Sequence, residues 1–261
     1  MVPQDGSEKQ DCERIAAKRW LAQQHEHFSD HSVTYLGDDL YANQPVCQLI
    51  AETYSQFFIF VCQPESHTGL YEWIDFLDKT HSLEKVTQRH WNGKQGELWQ
   101  YRFAQQVPLR QGEAALLVNW LELVIAHENT GEILYQNSFV TNHTMTVTTV
   151  VPLAQVGRTR WKIENENNNT LKTKGYHLEH NFGHGQQDLA NILAALNRLA
   201  FLIHTIQEMI EPAYQRLRRV LGARKTFFND LRALTRYMVF DSWDDLFLFM
   251  HEGLEIAPDP P

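Results

Sequence analysis

Two short apolar runs separated by one amphipathic stretch constrain this chain more than any other feature. SVTYL (residues 32–36) is rich in β-branched and aromatic residues and stops at Gly37-Asp38-Asp39, while FFIFVC (57–62) is a continuous apolar run that stops at Gln63-Pro64. Between them, Gln44 to Tyr54 (QPVCQLIAETY) carries helical spacing. Strand, helix and strand in so short a span predict a βαβ unit, whose crossover makes the two strands parallel. The turn Gly37-Asp38-Asp39 then falls at the carboxyl end of the first strand, where α/β sheets open their ligand crevices.

The hydrophobic period changes along the chain. Residues 11–28 (DCERIAAKRWLAQQHEHF) read as a helix with Asp11 as its N-cap. From about 86 to 142 four segments alternate (VTQRHW, GELWQYRF, ALLVNWLELVIAH, GEILYQNSFVT), punctuated by Asn92-Gly93 and Asn129-Thr130-Gly131. Those turns are hairpin signals and predict an antiparallel sheet. Beyond 145 the spacing predicts helices over 147–173, 186–210, 212–236 and 242–252. The run 189–206 (LANILAALNRLAFLIHTI) reads as core, being too apolar for a surface helix, and Trp161 as a core anchor. Trp243 and Phe247 to Met250 suggest a terminal helix that covers that core or a partner, ahead of a Pro-rich tail, Pro258 to Pro261. The segments so defined are 1–85, 86–144, 145–236 and an acidic 237–261.

Composition excludes several classes. At 261 residues, 43% apolar and 21% charged, with 13 Gly and 9 Pro, the chain is neither collagen-like nor disordered. Cys12, Cys47 and Cys62 form an odd set without a CxxC pair, which argues against a disulfide framework and a zinc ribbon. The opening MVPQDGSEKQDCERIAAKRW lacks the apolar core of a signal peptide. The apolar run 114–126 is broken by Asn119 and Glu122 and falls short of the roughly 20 residues that span a bilayer. A cytoplasmic protein away from membranes is therefore expected. The net charge of -9 is unevenly spread: residues 151–236 hold 13 Lys+Arg against 7 Asp+Glu, and residues 237–261 hold none against 6. Such asymmetry marks either a polyanion-binding face or a solvated helical surface.

Acidic residues meet a rigid element in two places, Asp38/Asp39 at the strand end and Glu164 within GRTRWKIENENNNTLKTKGY (157–176). On a helix Arg160, Glu164 and Lys172 share one face, and a carboxylate between two cations stays ionised and competent to bind a metal. The plainer alternative is a surface i,i+4 ion pair. His177, His180 and His184 have metal-like spacing but lack the H-E-x-x-H order, and Gly175, Gly183 and Gly185 interrupt any helix through them. A structural or DNA-contacting role outweighs a metal one there. Arg216, Arg218, Arg219, Arg224 and Lys225 form a late basic cluster, suited to phosphates or to solvent.

The blocks RWKIENE, LK and GYHLEHNFGHG resemble bacterial insertion-sequence DDE transposases of the group with a Y-x2-R-x3-E-x6-K signature. PQDGSEKQDCE, AAKRW, YLGDDLYANQPVC and FFIFVCQPESHTGLYEWI extend the likeness over residues 3–205. The resemblance implies an α/β, ribonuclease H-like catalytic domain in which three carboxylates hold two divalent metals, normally Mg2+, for attack on phosphodiester bonds. It assigns the second acid to Asp38, with Asp39 as the neighbouring alternative, and the third to Glu164, with Arg160 firmly and Lys172 more weakly matched. Residues 86–144 correspond to the β insertion between those acids. Arg160 and Lys172 of the motif, with Lys174, Tyr176, Arg216 and Arg219 from the basic stretch, are the expected DNA contacts, DNA ends and target the implied partners, and a homodimer is allowed. The expected place is the bacterial cytoplasm, at the nucleoid.

Three departures qualify the match. The signature tyrosine falls on Gly157, and the signature lysine on Leu171, one residue before Lys172. No residue fits the first acid: Asp5 and Asp11 lie in a polar stretch without strand pattern. The resemblance thus implies that the first strand, its Asp and the next two strands lie upstream of Met1, and that this chain alone does not cleave DNA. The rival reading is a shortened product that binds DNA ends or a complete transposase and inhibits it.

Overall fold

A computed structural model describes residues 12–180 and 187–257. Asp5, Asp11, Gly183, His184, Gly185 and the tail Pro258 to Pro261 lie outside the described residues. The chain divides into two units, 1–160 and 161–261.

The first unit begins with α1 (Glu13–Gln24) and continues into β1 (Thr34–Gly37), α2 (Gln44–Gln48, prolonged by a π-helical turn to Thr53) and β2 (Phe57–Val61). Asn43 caps α2, its Oδ1 accepting the Val46 N–H at 3.3 Å, and Pro45 fits the first turn, where no donor is lost. As the βαβ reading requires, β1 and β2 are parallel, with Thr34 opposite Phe57 and Gly37 opposite Phe60. After α3 (Thr68–Lys79) come β3 (Glu84–Trp91), β4 (Gly96–Pro108), β5 (Leu117–His127) and β6 (Ile133–Thr141), joined by hairpins at the two expected turns.

These four strands do not form a sheet of their own. β6 pairs antiparallel with β2, Ile59 opposite Thr141, so that one mixed sheet runs β1-β2-β6-β5-β4-β3. Alternation along each strand explains the junction. Phe58 and Phe60 of β2 face one side with Trp120 and Val140, against Val46, Ile50, Leu70 and Ile74 of the α2–α3 layer. Ile59 and Val61 face the other side with Leu121 and Phe139, against Val150 and Ala154 of α4 (Val150–Arg158). A run apolar on both faces belongs inside a sheet, and β6 completes its burial. The protein is therefore α/β, with a mixed open sheet covered on both faces in the first unit.

α4 reaches the sheet through Gly157, where an added Cβ would lie 2.9 Å from Phe139 Cε1 and 3.1 Å from Ile59 Cγ2. That contact leaves no room for a tyrosine at this position. The helix expected over 147–173 is not uniform: it starts at Val150, breaks at Thr159, and resumes as α5 (Arg160–Lys162), a π-helical stretch (Ile163–Asn168) and α6 (Asn169–Thr173). Trp161 is 46% exposed rather than a core anchor.

In the second unit α7 (Leu189–Ile210) is followed by α8 (Pro212–Leu221), α9 (Arg224–Tyr237) and α10 (Trp243–Gly253). The single helix expected over 212–236 is split at Gly222, whose φ of 65° ends α8 in a conformation most residues avoid. α8, α9 and α10 bury Tyr214, Leu217, Phe227, Leu246, Phe247 and Met250 together. The run 189–206 is not core: no residue of α7 is buried. With 22 residues and a mean hydropathy of 1.5 over its most apolar 18-residue window, α7 is also the one helix among the described residues long and apolar enough to cross a membrane.

Candidate active site at the carboxyl ends of the parallel strands

Gly37 ends β1 where a side chain has no room, since a Cβ would lie 2.8 Å from Phe60 Cδ1 and 2.9 Å from Tyr41 Cδ2. The chain turns there and presents two adjacent carboxylates in different ways. Asp38 is exposed, and its Oδ1 accepts the Leu40 N–H at 3.0 Å, which starts a 3₁₀ turn. Its other oxygen accepts no hydrogen bond among the described residues. Asp39 is turned inward: its Oδ1 accepts the Gln63 N–H at 2.6 Å and lies 3.3 Å from His67 Nε2. Asp39 thus ties the end of β1 to the segment after β2, and Asp38 is the carboxylate left open to a ligand.

Around this pair Tyr41 donates its hydroxyl to Glu13 Oε1 at 2.7 Å, and burial followed by that carboxylate pushes the phenol well above its usual range. A groove of about 680 Å³ opens next to His67, bounded by Asn43, Gln44, Ser66, Thr68 and Arg110. Arg110 donates to Gln44 Oε1 at 2.6 Å, which holds its charge in the groove wall. His67 went unnoticed in the sequence. Its only cue was its place between a buried strand and the first turn of α3.

Arg160 closes the first unit, while Glu164, exposed in the π-helical stretch, and Lys172 in α6 belong to the second. A π turn alters the angular step between residues, so the shared face derived for an unbroken α-helix does not carry across it. Lys172 pairs with Glu179 Oε1 at 2.9 Å. Lys174 and Arg219 are exposed and Arg216 is half-buried. Among the described residues no three His, Cys, Asp or Glu side chains are gathered as metal ligands would be. The resemblance implies three carboxylates for a pair of Mg2+ ions and assigns two of them, Asp38 and Glu164, so the residues present do not by themselves fit that metal centre.

Tyr176 is not presented to a base. It is 9% exposed, with its ring against Phe201, His204 and Phe228, and its carbonyl accepts Asn197 Nδ2 at 2.6 Å. Arg224 Nη1 donates to the tyrosine oxygen at 3.2 Å, and the hydroxyl is hydrogen-bonded with His204 Nδ1, 2.9 Å away. Arg224 also pairs with Glu208, so this member of the basic cluster is structural. Burial, then the charges of Arg224 and Arg218, lower the His204 pKa to about 4. The folded second unit therefore holds His204 neutral while the unfolded chain protonates it near pH 6.5. Stability conferred above pH 6.5 is lost as pH falls from there towards 4, because the unfolded state binds the extra proton. Urea midpoints at pH 7 and pH 4.5 are expected to fall with pH, and a His204→Gln chain is expected to lose much of that slope.

No protein-family model matches the chain, and no curated protein matches it.

Proposed function

We propose that this chain is part of a DDE-type DNA transposase with a ribonuclease H-like core, acting in metal-dependent cleavage and strand transfer of DNA. The observation that carries the reading is the open carboxylate of Asp38 at the carboxyl tip of β1, beside a parallel strand reached through a helical crossover. This is the environment the transposase resemblance assigns to the second acid. The excess of cations in residues 151–236, with Lys174 and Arg219 exposed, supports attraction to DNA phosphates. Because Asp38 and Glu164 are two carboxylates of three, the chain alone binds DNA without cutting it, and no chemical step is assigned to it in isolation.

Two assays on the purified chain test this reading. Fluorescence anisotropy with a labelled duplex is expected to give an affinity that falls steeply with salt, and a Lys174→Ala/Arg219→Ala chain a slope reduced by about 2. Supercoiled plasmid incubated with the chain and Mg2+ is expected to stay intact. Salt-independent or absent DNA binding overturns the reading, and nicking by the chain overturns its inactivity. A second reading, an inhibitor of transposition, is favoured by the lack of three gathered metal-ligating side chains among the described residues. It requires that added chain lower the cleavage rate of a complete transposase of this group.

A further inference from the structure

α3 buries Leu70 and Ile74 against the sheet, yet its outward side is not uniformly polar. Trp73 and Phe76 stand there 49% and 55% exposed, with ring centroids 6.0 Å apart and planes at 90°. A notch of about 260 Å³ opens where the two rings meet, and Glu72 completes its lining. Trp73 also borders a groove of about 630 Å³, walled by Leu77, Val107, Pro108, Ala115 and Leu117. The β4–β5 hairpin is fixed against the helix beside that groove: Gln111 Nε2 donates to Glu72 Oε2 at 3.1 Å, and a Cβ on Gly69 would lie 2.6 Å from Gln111 Cγ. We propose that the notch takes an arginine or lysine side chain and the groove the segment that carries it, an exposed basic stretch of a partner protein.

Charge selects that occupant. α3 carries Glu72, Asp75 and Asp78 against Lys79, and Glu113 stands on the hairpin wall of the groove. Asp75 and Glu113 are exposed and enter no ion pair among the described residues. Arg110, the cation in the lining, is already engaged: its Nε donates to Gln44 Oε1 at 2.6 Å and its Nη2 to the Ala114 carbonyl at 3.4 Å. A ring face with a carboxylate beside it attracts an ammonium or guanidinium through the ring quadrupole and the charge together. Arginine suits such a notch best, since its planar head stacks on an indole while its fork reaches the carboxylate. DNA and anionic bilayers carry the sign that Glu72, Asp75 and Glu113 repel. With the hairpin tied to the helix before anything binds, little ordering cost offsets the contact.

Fluorescence anisotropy of the full chain with a fluorescein-labelled Arg-Ala-Arg-Ala-Arg peptide tests the notch. At about 150 mM salt, attraction to the acidic segment 237–261 is screened beyond about 8 Å. Saturable binding is expected, weakened about tenfold by Trp73→Leu, which leaves every charge in place. Glu72→Gln/Asp75→Asn is expected to weaken it as well, and the glutamine still accepts from Gln111. Trp91→Leu removes an indole that is 71% exposed on β3 and is expected to change nothing. Because Trp73 is exposed, circular dichroism and urea midpoints are expected to match those of the parent. A parent chain that does not bind the peptide, or equal affinity in Trp73→Leu, overturns the proposal. So does a labelled single-stranded oligothymidylate whose binding Trp73→Leu weakens while peptide binding stays, or a dimer in sedimentation that Trp73→Leu dissociates. The notch uses none of the residues assigned to DNA or metal, so its failure leaves the transposase reading untouched and is distinguishable from it.

Discussion

Wherever this sequence supports Mg2+-dependent DNA cleavage, Asp38→Asn is expected to reduce the rate by about 10³-fold or more and to leave stability unchanged. Loss of a carboxylate that holds a catalytic metal removes several kcal/mol of transition-state stabilisation, and each 1.36 kcal/mol is a factor of ten. The side chain is exposed and makes one hydrogen bond, to the Leu40 N–H, which an asparagine oxygen also accepts. Asp39→Asn is expected to act the other way. It weakens the tie to the Gln63 N–H and the approach to His67, a loss of about 1–3 kcal/mol for a charge-assisted bond, and lowers the rate only as far as the strand end loosens. Initial cleavage rates of a complete transposase carrying this sequence with either substitution, and urea midpoints of both variants of this chain, check the contrast. A rate lost only in Asp39→Asn reverses the assignment.

Glu122→Ala is expected to destabilise the first unit by about 3–5 kcal/mol, the usual cost of stranding one member of a buried ion pair. Glu122 lies in β5 directly opposite Arg102 of β4, and its side chain is 7% exposed. Its Oε2 accepts Arg102 Nε at 2.7 Å and Nη2 at 2.6 Å, and its Oε1 accepts Gln136 Nε2 at 3.0 Å. Arg102 continues to Asp78 Oδ2 at 3.1 Å, at the end of α3. Removal of the carboxylate leaves the guanidinium partly desolvated over the Trp120 ring and the Gln136 amide without its acceptor. A Glu122→Leu/Arg102→Met chain removes both charges at similar volume and is expected to recover most of the loss. Urea unfolding followed by Trp fluorescence measures both. A Glu122→Ala midpoint equal to that of the parent overturns the account.

The βαβ unit was legible because its signals are local: period, β-branched content and a Gly-Asp-Asp stop act within a few residues. The hairpins at Asn92-Gly93 and Asn129-Thr130-Gly131 were legible for the same reason. The attachment of β6 to β2 was not, since it depends on which apolar edge finds β2 across a separation in sequence of about 80 residues. The candidate site divides in the same way. That an acid stands at the strand end could be read from the turn, but only the inward hydrogen bonds of Asp39 leave Asp38 as the open one.

At Glu122, and again in α7, a local reading points the wrong way. A charged residue in ALLVNWLELVIAH looked like an interruption, yet the strand buries it because Arg102 is delivered opposite by register. The most apolar helix looked like core, yet its apolar stripe is outward because its other side makes the hydrogen bonds of the second unit. Alone, the sequence determined the elements and the carboxylate-bearing turn, because backbone preference and hydrophobic period are properties of neighbouring residues. Tertiary structure decided the single mixed sheet, which of the adjacent aspartates is tied inward and the outward face of α7. Each of these depends on partners that the chain brings together only when it folds.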